Sequence, residues 1–241
     1  MLHDGQEALV VDPGDAQPVF EALQRESLTL RCILVTHHHG DHTGGVQALR
    51  EATGAKVFGP AHEKMPEPIA RLVEGDSVSA LGMRFTVLDV PGHTAGHIAF
   101  YAEPPGEEPL VFCGDTLFSA GCGRLFEGTP QQMLDSLRKL SALPDATRVC
   151  CTHEYTLSNL RFALAVEPDN ASLKEHHTRC LALRAQALPT LPSSMVLERN
   201  INPFLRTHLE SIARSVLAHD AHGVAAAGVF ATLRQWKNTF Q

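Results

Sequence analysis

The chain has 241 residues, 44% of them apolar and 20% charged, which suits one large globular domain or a main domain with an appended one. Its formal net charge of −7 argues against a nucleic-acid partner, which wants a basic face, but leaves room for a small anionic substrate at a local basic cluster. No apolar run approaches a membrane span and no leader-like segment opens the chain, so a cytoplasmic protein with no membrane partner is expected. The six cysteines form no paired C-x-x-C array; Cys32, Cys113, Cys150 and Cys151 sit in apolar runs and read as buried small hydrophobes in a reducing compartment.

Asp4-Gly5 signals a hairpin turn, and residues 8–11 read as a strand closed by the turn Asp12-Pro13-Gly14-Asp15. A helical pattern through Val19 and Leu23 leads to Leu30, Cys32, Ile33, Leu34 and Val35, an apolar β-branched run that predicts a buried strand. It runs into Thr36-His37-His38-His39-Gly40-Asp41-His42, where four imidazoles and a carboxylate fall within six residues. In an extended chain, residues two apart share a side, so His37 and His39 converge while His38 faces away. Gly40 lets the chain turn, so Asp41 and His42 can swing back to the same point. Neutral imidazole and carboxylate are ligands for zinc and other divalent transition metals, but this cluster alone does not decide between one ion and two. Asp12 either orients a ligand histidine or simply makes its turn.

Val46, Leu49 and Arg50 predict a helix ending before Gly54, and residues 56–58 a short strand. A strand over 84–90 ends in Pro91-Gly92-His93-Thr94-Ala95-Gly96-His97, one over 98–102 runs into a Pro/Glu-rich turn at 103–109, and one over 110–113 ends in Gly114-Asp115-Thr116. After the Gly-rich loop Ala120-Gly121-Cys122-Gly123-Arg124 comes a helix with Thr129 as cap, Pro130 at its first position and Gln132 closing a capping box. Residues 149–151 are the last strand and end in Thr152-His153-Glu154-Tyr155, with Glu154 read as a cap of the next helix. Four strands therefore end in a candidate ligand: His37/His39, His93, Asp115 and His153. Loops at one edge of a sheet are where α/β proteins collect their chemistry. Beyond residue 156 strand patterns stop, and helical patterns over 157–166, 172–187, 209–217 and 224–237 predict a smaller all-helical domain.

The His-rich stretch, with His93, Asp115 and His153 at later strand ends, resembles the metallo-β-lactamase superfamily. Within it, Ala120-Gly121-Cys122-Gly123-Arg124, His153-Glu154-Tyr155-Thr156, Asn202-Pro203-Phe204 and Arg234-Gln235-Trp236-Lys237 resemble glyoxalase II, the hydroxyacylglutathione hydrolases. The resemblance covers nearly the whole chain. It implies an α/β fold, an αββα sandwich with a C-terminal all-helical domain, divided into a catalytic metal-binding domain over 1–155 and a helical glutathione-binding domain over 156–241. It implies two divalent ions per chain, zinc with iron or manganese as alternatives. His37, His39 and His93 would hold one ion, Asp41, His42 and His153 the other, with Asp115 bridging both. Asp41 and Asp115 would be the catalytic carboxylates, with Asp12 and His97 behind the ligands. Arg234 and Lys237, three apart on one helical face, would clamp a glutathione carboxylate. Arg124 would add a third cation, and Tyr155 and Asn159 would hydrogen-bond the substrate's peptide backbone.

The family also carries a first strand that ends where Met1 stands here, so either an edge strand is lost or the start is internal to a longer protein. Arg124 stands where many relatives have Lys, and Phe126 where many have Tyr. The implied reaction is hydrolysis of S-(D-)lactoylglutathione to glutathione and D-lactate, the second step of methylglyoxal detoxification, by a monomer using a metal-bound hydroxide. A thiolate with a conjugate-acid pKa near about 8.5 leaves without protonation, whereas an amide nitrogen does not, and no extra general acid stands beside the ligands. The alternative is a glutathione persulfide dioxygenase of the same fold with a single iron. The seven-ligand set and the long helical C-terminus favour the hydrolase.

Overall fold

The computed structural model describes residues 1–240. Two compact units make up the chain: Met1–Asp89 with Thr94–Gly114, and Val90–His93 with Asp115 onward.

In the first unit, Glu7–Val11, Thr29–Leu34, Lys56–Pro60 and Ala70–Leu72 lie side by side in parallel, with Leu2–His3 antiparallel at the edge. The central strands are almost wholly apolar, as parallel strands covered on both faces must be. The helices Gln17–Glu26 and Val46–Thr53 make the crossovers. Their apolar sides, Val19, Phe20, Leu23, Val46 and Leu49, pack with Ala8, Val10, Leu30, Ile33, Val35 and Val57 in one core. Val11 pairs with Leu34, so Asp12 and the His-rich stretch emerge together. Ser77–Ala80, Met83–Asp89, Ile98–Ala102 and Leu110–Gly114 form an antiparallel meander. Asp89 faces Ile98, and the Phe100–Phe112 register carries Gly114 to the same end. The loop 90–97 and the residue after Gly114 therefore leave the meander at one edge.

The second unit is mainly helical: Pro130–Ser141, Thr156–Val166, Ala171–Ala185, Met195–Ile201, Glu210–His219 and Ala221–Thr239, the last broken at Gly228. It also holds the hairpin Leu117–Phe118/Gly121–Cys122 and the pair Arg148–Cys151/Ser193–Ser194. The helix over 130–141 begins as expected, with both halves of the capping box at Thr129 and Gln132 formed. The helix Met195–Ile201 carries no long apolar stripe; Ser194 starts it by accepting from the Leu197 N–H. Its neighbour Ser193–Ser194 is a strand although strand patterns stop at residue 156, because two serines carry no alternation to read. No described helix is long and apolar enough to cross a membrane.

Thr129→Ala removes the side chain that accepts the Gln132 N–H. Urea denaturation should show a loss of about 1 kcal/mol with kcat/KM unchanged, since the cap lies at the start of a structural helix.

Candidate functional site

In the first unit the site is built on Asp12. Its Oδ1 accepts the Thr36 N–H at 2.7 Å, its Oδ2 accepts from Thr36 Oγ1 at 2.7 Å, and Oδ2 lies 3.1 Å from His42 Nδ1. One carboxylate thus fixes the end of the central strand and one ring nitrogen of His42. The other nitrogen, Nε2, lies 3.8 Å from Oδ2 of Asp41, whose side chain is exposed. His37 Nδ1 is 3.1 Å from Thr36 Oγ1, and His37 Nε2 faces His39 Nδ1 at 3.1 Å. The alternation read from the sequence is present: His37 and His39 turn together, while His38 turns to Glu63. Ligand atoms of Asp12, His37 and His42 lie within 4.8 Å of one another. His97 is fully buried and stacks on His37, centroids 4.6 Å apart. Gly114 precedes Asp115 with φ +48°; a Cβ there would lie 2.3 Å from Thr36 Oγ1, so only glycine lets the backbone pass.

In the second unit, the His93 Nδ1 donates to the Arg124 carbonyl at 2.8 Å, the only role open to it against that acceptor. Its Nε2 lies 3.5 Å from Asp115 Oδ2, and His153 Nε2 lies 3.4 Å from Asp115 Oδ1. These are long for hydrogen bonds. They match the roughly 3.3 Å expected between two atoms bound to one tetrahedral ion at about 2.0–2.1 Å. Each oxygen of Asp115 thus faces a different imidazole. Thr152 Oγ1 donates to Asp115 Oδ1 at 2.6 Å. A Cβ on Gly123 would fall 1.9 Å from the Asp115 carbonyl oxygen, so the Gly-rich loop can lie this close only without a side chain. Tyr155 stacks on His153 at 4.8 Å, and Phe126 meets His93 edge-on at 5.3 Å; both aromatics are exposed. These donor sets fit divalent metal in number, type and spacing.

The loop before Arg124 is held from beneath by buried side chains. Asn159 Nδ2 donates to the Ser119 carbonyl at 3.1 Å, and Asn202 Nδ2 donates to those of Phe118 and Gly121 at 3.1 and 2.9 Å. Glu198 accepts the Ala120 N–H at 2.8 Å, and Arg234 Nη1 donates to the Cys122 carbonyl at 2.7 Å. Burial pushes the Glu198 carboxyl up, against hydrogen bonds from Ser193 and Ala120 that pull it down.

Three residues make contacts that the sequence does not suggest. Asn159 is buried and donates from Nδ2 to the Ser119 carbonyl, which supports the loop. Arg234 is only 6% exposed, lies over the Phe204 ring and donates from Nη1 to the Cys122 carbonyl. Glu154 does not cap the following helix; it accepts from Thr190, and Tyr155 takes the cap position. Lys237 is half-buried, 3.4 Å from Ser158 Oγ. Burial, then the charges of Arg234 and Arg161, bring its ammonium down to about 8. Arg124 is exposed at the loop's end. Glu63 and Glu198 went unread in the sequence, since neither sits in a motif.

Residues 1–153 match the family described as the metallo-β-lactamase superfamily, and residues 154–240 the one described as hydroxyacylglutathione hydrolase C-terminus. A protein of Albidiferax ferrireducens named hydroxyacylglutathione hydrolase is 64% identical over 240 residues, covering 100% of this chain and 94% of its own length. One of the same name from Pseudomonas aeruginosa is 56% identical, covering 96% of this chain and 90% of its own length. Among solved structures, TTHA1623 in a di-iron-bound form is similar at 29% identity and a TM-score of 0.58, covering 81% of this chain and 88% of that one.

Asn202→Ala leaves two buried carbonyls and the Glu198 carboxylate each short of a donor. A loss of about 2–4 kcal/mol is expected in chemical denaturation. A loss under about 0.5 kcal/mol would mean that water replaces the amide.

Proposed function

The chain belongs to the hydroxyacylglutathione hydrolases of the metallo-β-lactamase superfamily, and from that membership we propose how its residues divide the work. It is a thioester hydrolase acting on S-(D-)lactoylglutathione to give glutathione and D-lactate. Relatives at 64% and 56% identity along nearly the whole chain carry the hydrolase name, so the persulfide dioxygenase reading is set aside.

The donor set fits a binuclear metal site. In our reading His37, His39 and His93 would hold one ion and Asp41, His42 and His153 the other, with Asp115 shared between them. Support comes from the far side of the rings: Thr36 faces His37 Nδ1, Asp12 faces His42 Nδ1, and the Arg124 carbonyl takes the proton of His93 Nδ1. Borderline nitrogen and carboxylate donors suit zinc, with iron or manganese as alternatives. Two such ions would lower the pKa of bound water from about 15.7 toward roughly 7 and offer positive charge to a developing oxyanion.

Asp41, exposed beside His42, is the carboxylate that accepts the proton of the attacking water. Asp115, whose Oδ1 accepts from Thr152 Oγ1, would offer its carboxylate to the ions. The departing thiolate needs no proton, and Glu154, the carboxylate next to His153, is turned to Thr190. Tyr155 and Phe126 offer apolar faces next to His153 and His93. Lys237, with Arg234 behind it, binds one glutathione carboxylate, and Arg124 binds the other. Residues 1–155 then supply the metal chemistry and 156–241 the glutathione subsite. Six free thiols suit a reducing cytoplasm, and we take the protein as a monomer without nucleic-acid or membrane partners.

What carries this reading is the match of both family descriptions end to end along one chain. Metal analysis of the pure protein should give two equivalents per chain with turnover of lactoylglutathione. Asp115→Asn should cut kcat about a thousandfold, or roughly 4 kcal/mol of barrier. Retention of both the metal and the rate in that variant would remove the bridging role.

The ammonium of Lys237 is present below its pKa of about 8 and lost above it. KM should therefore be flat up to about pH 8 and rise beyond it, while Lys237→Arg, which stays charged, should flatten the curve. The same rise in both proteins would assign it to the substrate instead.

A further inference from the structure

Residues 61–67 carry no recognisable motif, yet they bury a carboxylate against the ligand loops. Glu63 is 8% exposed. Its Oε2 accepts the His38 N–H at 2.6 Å and lies 2.9 Å from His38 Nδ1. Its Oε1 accepts from Thr94 Oγ1 and from the Gly96 N–H, the latter at 3.1 Å. An ionised carboxylate is acceptor-only, and each of these partners can donate, so the set is matched in polarity. The segment is itself fixed, because Arg71 Nη1 donates to the carbonyls of Ala61 and Glu63.

The partners are not scattered. His38 lies between His37 and His39, and Thr94 and Gly96 lie between His93 and His97. Holding the His38 N–H and ring on one side sends His37 and His39 to the other. Holding Thr94 and Gly96 with the second oxygen sets the distance between the two loops to that of one carboxylate. Loops that must hold ligands within a few tenths of an ångström need such a spacer, since backbone strands end before the ligands begin.

We propose that Glu63 is a positioning residue of the metal centre. It touches neither metal nor substrate, sets the separation of the 37–39 and 94–97 loops, and thereby sets metal affinity and coordination geometry. This rests on the metal-site reading above. Glu63→Gln keeps the shape but turns one acceptor into a donor that faces donors. Thr94→Val removes a single donor and spares the carboxylate.

The test is cobalt(II) titration of the full-length, metal-free chain, following ligand-field absorption, with wild type and both variants. Wild type should take up two cobalt ions. Glu63→Gln should bind about 10–100-fold more weakly with altered bands, and kcat for lactoylglutathione should fall while KM stays within about twofold. Thr94→Val should shift the same readouts in the same direction by less, and it decides the matter if Glu63→Gln does not fold. Variants that lose thermal stability but keep wild-type cobalt affinity and spectrum would overturn the proposal, because Glu63 would then only support the fold. A wild-type chain that binds no cobalt would overturn the metal-site reading itself, and this inference with it.

Discussion

An imidazole can offer a cation only one nitrogen, and only if its proton is held on the other. The site depends on that constraint. Asp12 stands against His42 Nδ1, Thr36 against His37 Nδ1, and the Arg124 carbonyl against His93 Nδ1. Two of these three contacts trace back to one carboxylate, since Asp12 also accepts from Thr36 through its hydroxyl and N–H. A turn residue between a strand and a helix therefore governs which nitrogen His37 and His42 present. Each such contact is a single modest hydrogen bond, but a wrong tautomer would put an N–H where a lone pair is needed.

The second unit meets a different demand. A hairpin that turns through Ala120 at φ +55° has carbonyls and an N–H pointing inward where water cannot reach. Asn159, Glu198, Asn202 and Arg234 each supply one partner from a different place in the helical segment. The appended helices thus have a role in the loop that carries Arg124 as well as in any substrate subsite. Glu198 shows how strongly the polar groups are matched. It is wholly buried with a carboxyl pushed up by desolvation, yet Ser193, Ala120 and Asn202 all reach it.

Much of this was legible in the sequence. Strand ends could be read because apolar runs stop abruptly, and each stop carried a ligand-type side chain. His37 and His39 were read as converging from the period of a strand alone. The capping box at Thr129 was legible because all its atoms lie within one turn. The failures share a cause. Helical spacing says which residues share a face but not whether that face looks inward, so the contacts of Arg234 and Asn159 with the loop over 118–123 cannot be read from it. Glu63 was invisible because its partners lie 25 and 31 residues away, joined only by folding. Ala70–Leu72 and Ser77–Ala80 are too short for a periodic signal.

The cation pair at the chain's end shows where local rules are broken for function. Lys237 stands half-buried near Arg234 and Arg161, and both desolvation and like charge work against its proton. Arg234 escapes the same conflict by bonding to backbone carbonyls, which satisfy a guanidinium without neutralising it. A half-buried ammonium near two guanidinium groups is unfavourable, and an anion placed beside it would relieve the conflict.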